Sequence, residues 1–351
     1  MREHGSAPTR GDMERRQVLS GVALVGLMPV ISKGRNLNHS PHVEKVRNEL
    51  DISDYRKRIF YQWAPAAAHG EPTTPLLGEV HADFLVTRSL TIRANDPSRQ
   101  REGYHVMAWQ GVLLTALHTK LGNIMQARQS ANVAREFGYQ CGDRAAVASA
   151  YDRESIGEIW YGTPERGVQA ATRGIHLAET GSGAHFWPIL AGLHSQAMVH
   201  YARSSNHIAL SEEHERRVLD WQQRLPETRR PNAFELVPSQ MYNSLAIAHA
   251  FRRHEDAAEL FSVGFRATGY SARGRKGFRK LLRLNQAWAE GSKQPRKGVE
   301  IACDVMHSFA QEGAAPDPIY RHRALRVLDA LPASFPQRET TELRKLIDQA
   351  S

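Results

Sequence analysis

Three carboxylates stand close together at Asp152, Glu154 and Glu158. Glu154 and Glu158 are one helical turn apart and share a face, the spacing at which paired acids can divide general-acid and general-base duties. That chemistry also needs a pocket and an activated nucleophile, and the neighbouring sequence supplies neither. The simpler reading is a solvated helix face on which Arg153 and Arg166 pair with the acids. The seventeen histidines raise the question of a metal. His194 and His200 share one segment, but their offset sends them to different faces of a helix. His207 and His214 share a face two turns apart, too far to hold one ion, and no H-E-x-x-H run occurs. These histidines are expected to be solvated or to cap helices, with no metal and no cofactor. No G-x-x-x-x-G-K-[ST] loop, G-x-G-x-x-G fingerprint or G-x-S-x-G elbow is present. The chain is therefore expected not to be an enzyme, and its chemistry should be that of binding.

Two groups of residues could bind. The first is basic. From Leu260 to Ala289 there is no acid, and the window carries Arg273, Arg275, Lys276, Arg279, Lys280 and Arg283, interleaved with Tyr270 and Phe278. From Arg275 onward the cations recur every three or four residues and form a stripe. Such a stripe can neutralise phosphates without reading sequence, grip an acidic peptide or partner patch, or serve only as solvated surface. The second group mixes amides and aromatics: Trp109, Tyr151, Trp187, Gln196, Tyr242, Asn243, Asn285 and Trp288. Asn243 and Asn285 each interrupt an apolar helix. A buried amide wants a partner, and its donor and acceptor match the backbone of an extended peptide.

The elements that must position these residues are helices. Turns near Leu121-Gly122-Asn123, Tyr161-Gly162-Thr163-Pro164, Ser204-Ser205-Asn206, Arg253-His254-Glu255 and Glu290-Gly291-Ser292 recur every roughly 37 to 50 residues, a period typical of helical solenoids. Tyr104 to Leu121 carries Val106, Trp109, Val112, Leu113 and Leu117 at helical spacing. Its partner, Asn123 to Phe137, places Ala127, Ala131 and Ala134 on one face, with Gly138 suited to end it. Asp143 to Trp160 pairs with Pro164 to Ala178, where Thr163-Pro164-Glu165 is a cap, a first-turn proline and an acid near the positive helix end. The pairs Phe186–Arg203 with Ile208–Leu225, Pro238–Arg253 with Glu255–Thr268, and Lys276–Glu290 with Arg296–Gln311 follow. Pro226 to Pro231 interrupts them, and a shorter pair, Pro318–Leu331 with Pro336–Gln349, closes the series. Upstream, Val43, Val46 and Leu50 begin an amphipathic helix, Ala64 to Pro75 reads as a loop, and Leu76 to Ile92 as a helix. In arrays of this kind the first helix of each pair lines the concave wall, which is where the amides and aromatics named above would lie. No alternating strand pattern stands out. The fold expected is all-α, a solenoid of antiparallel helix pairs, with residues 1–41 a linker, 42–102 the opening helices and 103–351 the repeats.

Composition narrows the setting. The hydrophobic share is 41% and the formal charge +9, a folded protein with a preference for acidic partners. The only cysteines are Cys141 and Cys303, neither a disulfide framework nor a metal ribbon, and this favours a reducing cytoplasm. No apolar run reaches the ~20 residues of a membrane span.

The N-terminal segment admits two readings. Arg15-Arg16 followed by the apolar stretch Gly21 to Ile31 has the outline of a twin-arginine export signal, although Glu14 precedes the pair, Pro29 falls late in the stretch and no A-x-A-like site follows. The same stretch, Met13-Glu14-Arg15-Arg16-Gln17-Val18-Leu19 with Gly21-Val22-Ala23-Leu24, resembles the linker of actinobacterial helix-turn-helix regulators of the Xre/Cro type. In that family the linker joins a DNA-binding head to a tetratricopeptide-like array. The resemblance covers the linker and, as a pattern of helix pairs, the remainder of the chain. It implies a tetratricopeptide-like superhelix, a sensing role for the array, and a protein or peptide partner. Asparagines on the inner wall, here Asn243 and Asn285, clamp peptides in regulators of that kind. About a dozen residues precede the motif, so a helix-turn-helix head is not expected here and contact with nucleic acid would be indirect; a homodimer is compatible. The function expected is a cytoplasmic regulatory module that binds a peptide, small signal or protein partner and modulates transcription. A scaffold without a ligand and an exported helical protein are the alternatives.

Overall fold

A computed structural model describes residues 51–69, 73–181, 183–204, 207–224, 238–267, 276–291, 293–312, 316 and 318–349. The linker expected over 1–41, the Arg15-Arg16 motif, the start of the first helix at Val43 to Leu50 and the break at Pro226 to Pro231 lie outside them. Within the described residues the chain is helical and contains no strand, and no helix is long and apolar enough to cross a membrane.

The first helix, α1 (Ile52–Arg58), starts at a reciprocal cap in which the Asp51 carboxylate takes the Ile52 N–H and the Asp54 carboxylate takes the Asp51 N–H. A π-turn over Ile59–Trp63 leads into α2 (Ala64–His69), and α3 (Thr73–Arg93) follows. A loop expected from Ala64 to Pro75 is thus largely helix. Its alanines favour helix, Ala64 and Ala67 are buried, and Pro75 falls in the first turn of α3, where no helical hydrogen bond is lost.

The pairs then run α4 (Pro97–Lys120) with α5 (Ile124–Cys141), α6 (Arg144–Tyr161) with α7 (Pro164–Glu179), α8 (Trp187–Arg203) with α9 (Ile208–Arg224), α10 (Pro238–Arg252) with α11 (Ala257–Ala267), and α12 (Lys276–Gly291) with α13 (Pro295–Gln311). α14 (Pro318–Asp329) and α15 (Gln337–Gln349) complete the chain. The punctuation explains the boundaries. Asp96 caps α4 with Pro97 in its first turn, so the helix expected from Tyr104 begins about two turns earlier. Thr163 caps α7 through the Arg166 N–H. α5 ends at Gly142, in the left-handed region at φ 76°, and not at Gly138. Gly138 instead lets α5 approach α6, since a Cβ there would stand 2.6 Å from the Val147 side chain.

The first helices of successive pairs also pack on one another, α4 on α6, α6 on α8, α8 on α10, α10 on α12 and α12 on α14. They form a continuous inner layer. One apolar core fills the N-terminal part around Phe84, Trp109 and Phe137, and a larger one runs from Trp160 through Trp288 to Ile347. Burying such side chains is worth about 1.5–3 kcal/mol each, so these cores hold the layers together.

Candidate functional site

The inner layer turns a face of three- and four-residue spacing toward one concave space. On α6 that face is Ser149, Asp152, Arg153, Ile156 and Trp160; on α8 it includes Gly192 and Gln196; on α10, Asn243 and Ile247. α12 contributes Asn285, α14 Arg323, and α4 Thr119. Together they line a cavity of about 190 Å³.

One side of the cavity is bounded because the chain curls back on itself. The Arg326 guanidinium donates to the Trp160 carbonyl, and the His322 ring meets Tyr161 edge-on with centroids 5.3 Å apart. His322 also covers Gly122 in the α4–α5 turn. Gly122 holds φ 74°, and any Cβ there would run into the His322 ring. α14 is thereby fastened to α6 and to the turn after α4.

The polar groups around this space are poorly satisfied. Asp152 is 6% exposed; its Oδ2 lies 3.5 Å from Arg153 Nε, and its Oδ1 has no hydrogen-bond partner. Room for that oxygen comes from Gly192, where a Cβ would stand 2.9 Å from it. Burial pushes the Asp152 carboxyl up to about 6, with the Arg153 charge opposing. Arg323, 5% exposed, lays its guanidinium over the Trp160 ring and leaves Nε and Nη1 without partners. Burial lowers the Arg323 pKa, opposite in direction to Asp152 but for the same reason, the cost of a buried charge. Asn285 Nδ2 donates to Asn243 Oδ1 at 3.2 Å, while Asn285 Oδ1, Ser149 Oγ and Thr119 Oγ1 have no partner. Buried polar groups are normally paired, and an unpaired buried charge is strongly unfavourable. A ring of such groups around one space is chemistry prepared for a complementary ligand.

Of the residues expected on the inner wall, Gln196, Asn243 and Asn285 line the cavity and the rest do not. Trp109 is core: it packs on Phe60, and its indole N–H donates to Asp143 Oδ2 at 2.9 Å. Trp288 is core as well, wedged between Trp160 at 5.0 Å and Phe251 at 4.9 Å. Tyr151 lies under Arg135 and against the α7 backbone at Gly174. Tyr242 packs against the larger core, and Trp187 is half-buried at the start of α8. Aromatic rings at helical spacing went to the seams between layers, where their area is worth most.

The acids of α6 are not a solvated face. Glu158 is buried and takes both arms of the Arg128 guanidinium, at 2.7 and 2.9 Å; Glu154 pairs with Arg135 at 2.5 Å. Arg166 takes no part in these pairs. The histidines also depart from expectation. His194 is buried with its Nδ1 2.8 Å from His214 Nδ1, His200 reaches the Ser155 carbonyl at 3.0 Å, and burial drives both His194 and His200 down to about 3. In the basic stripe, Arg273 and Arg275 and the side chain of Lys276 lie outside the described residues. Arg279 is exposed. Lys280 pairs with Glu312 at 2.7 Å and sits over the Phe309 ring, and Arg283 donates to Gln286 Oε1 at 2.9 Å. Lys280 and Arg283 are thus engaged within the protein.

Sequence reasoning passed over Asp152, Arg153 and Arg323 as site residues. A signal was available in the glycines: Gly157 and Gly192 interrupt helices, and both mark places where another group approaches closely. No protein-family model, curated protein or solved structure matches the chain.

Proposed function

We propose that the chain is a tetratricopeptide-like regulatory module: a superhelical stack of antiparallel helix pairs that holds a compact acidic signal in its inner cavity and modulates transcription through a protein partner in the cytoplasm. The observation that carries this reading is the buried Arg323 guanidinium, unpartnered at Nε and Nη1, on the wall of the same cavity as the unpartnered oxygens of Asp152 and Asn285. A guanidinium calls for a carboxylate or phosphate acceptor, and the two oxygens call for N–H donors. Ile156, Ile247 and Trp160 supply apolar walls. A ligand meeting all three demands is amino-acid-like, with an acid, an amine or amide, and a small apolar body.

Size favours the same choice. A cavity of about 150 Å³ accommodates benzene, so about 190 Å³ suits a body of amino-acid dimensions. Such a ligand touches α14 through Arg323, α6 through Asp152 and α12 through Asn285, and therefore binds the closed stack better than an opened one. That differential affinity is what a population shift requires, and the partner would read the change in curvature.

The test is a thermal-shift screen of amino acids, dipeptides and small carboxylates against the wild-type protein and Arg323→Gln. Some compound should raise the wild-type Tm, by the equivalent of ~2.7 kcal/mol at one hundred times its Kd, and leave the variant unmoved. A screen in which nothing raises the wild-type Tm, or in which Arg323→Gln responds equally, defeats the reading.

A further inference from the structure

The turn between α10 and α11 gathers groups that the inner cavity does not use. α10 ends in a tight reversal: Arg253 takes φ 64°, its N–H meets the Ala250 carbonyl at 3.1 Å, and the His254 N–H reaches back to the His249 carbonyl at 2.9 Å. The reversal folds His254 over His249, edge to face, with ring centroids 4.8 Å apart. Asp256, immediately before α11, brings its Oδ1 to 2.7 Å from His249 Nδ1. A ligand atom from each of His249, His254 and Asp256 lies within 4.8 Å of the others.

The far side of His249 is organised as well. Its Nε2 lies 2.9 Å from Glu215 Oε1 on α9, and the buried Arg252 guanidinium holds the other oxygen of Glu215. A carboxylate behind a histidine fixes the ring: Nε2 donates to Glu215, and the ion would take the place of the proton that Nδ1 shares with Asp256 Oδ1. This is the arrangement that supports a metal-ligating histidine. His249 is buried, His254 half-buried and Asp256 exposed, so the ion has a path from solvent.

We infer that His249, His254 and Asp256 form a binding site for one divalent transition-metal ion of the zinc class, with Glu215 as the supporting carboxylate. Two imidazoles and one carboxylate are a borderline-soft donor set that suits zinc and its neighbours over magnesium or calcium. Three protein ligands leave a fourth position for water. On binding, the ion replaces the hydrogen-bonded contact between Nδ1 and Oδ1, and the two atoms move apart to the ~3.3 Å separation of neighbouring tetrahedral ligands. The ion would join the end of α10 to the start of α11, on the helix that carries Asn243 into the cavity. Sequence spacing concealed the set, because His249 and His254 face one another only after the chain has left its helix.

The site is tested on chelator-treated, full-length protein titrated calorimetrically with zinc, and by the visible spectrum with cobalt(II). One equivalent should bind with saturation, and cobalt should give the strong d–d absorption of a four-coordinate site. His254→Ala and Asp256→Ala, both at accessible positions, should each weaken zinc binding at least tenfold, while His207→Ala, an exposed histidine elsewhere, should leave it unchanged. Absence of saturable binding overturns the inference. So does a one-equivalent site that persists at full affinity in both His254→Ala and Asp256→Ala, since the ion would then sit on other histidines. Retained circular dichroism and melting in each variant show that any loss belongs to the site and not to the fold.

Discussion

Two aspartates on the same helix have opposite fates. Asp143 caps α6: His105 Nδ1 approaches at 2.9 Å, the Trp109 indole donates at 2.9 Å and the Ala146 N–H at 3.0 Å. Burial alone would raise its pKa, but these hydrogen bonds outweigh burial and hold the carboxyl below its usual range. Asp152, further along and facing the cavity, has Arg153 at 3.5 Å, and burial prevails, up to about 6. The contrast extends to the rest of the helix. Toward α5, Glu154 and Glu158 are each met by an arginine; toward the cavity, Asp152 Oδ1 and Ser149 Oγ are left without a hydrogen-bond partner. One side of α6 is finished by folding. The other is built to be finished by something else, and the difference separates charges that hold the stack together from charges available to bind.

The sharpest way to break this comparison is to remove an arginine from each side. Arg128→Ala strands the buried Glu158 carboxylate and should destabilise the protein by about 3–5 kcal/mol, the range for an uncompensated buried charge. Arg153→Ala on the cavity side should lower stability by less than Arg128→Ala does, because Asp152, already pushed up to about 6 by burial, can take up a proton instead of staying charged. Urea unfolding midpoints measure both, and equal losses would erase the distinction.

Next in size is Asp152→Asn. The folded pKa of about 6 lies above the ordinary 3.8, so the folded state holds its proton more tightly than the unfolded state. Wild-type stability is then fully present below about pH 4 and is lost as pH rises through 6. The asparagine variant should gain up to ~3 kcal/mol at pH 8, at about 1.4 kcal/mol per pKa unit, and its stability should be flatter between pH 4 and 6. Melting curves across that interval decide, and a destabilised variant at pH 8 would mean Asp152 is as well satisfied as Asp143.

The smallest effect belongs outside both faces. Lys280→Ala breaks a pair whose partner, Glu312, is half-exposed, and should change stability by less than about 1 kcal/mol. A larger loss would place the Lys280 contact with Phe309 among the elements that hold the stack.

The helix pairs were legible because their ends are written in local chemistry. Thr163-Pro164 and Gly122 act through the backbone of their own turn, and no distant residue is needed to recognise them. Asn243 and Asn285 were legible for a related reason, since an amide inside an apolar helix is conspicuous wherever the helix lies. Trp109 and Trp288 misled because a ring at helical spacing reads the same whether it faces a wall or a seam. Ala64 to His69 was misread as a loop because the nearby glycine and prolines were given more weight than the alanines' own preference. Asp152 and Glu158 were misread together, because a carboxylate's burial is decided by which arginine of another helix reaches it, and Arg128 is far off in sequence. Arg323 could not be placed at all without the return of α14 to α6.

That return has a consequence for how the protein folds. A stack of repeats in which each unit touches only its neighbours has local contacts, frays from its ends and unfolds piecewise. The bond from Arg326 to Trp160 spans 166 residues. It converts the interval from α6 to α14 into a single loop whose ends must meet, which slows assembly through closure entropy and rewards it only when the last helix arrives. From α6 onward the chain should therefore melt as one unit, more like a globular domain than a row of repeats, and the C-terminal helices, usually the first part of a linear array to fray, are tied to its middle.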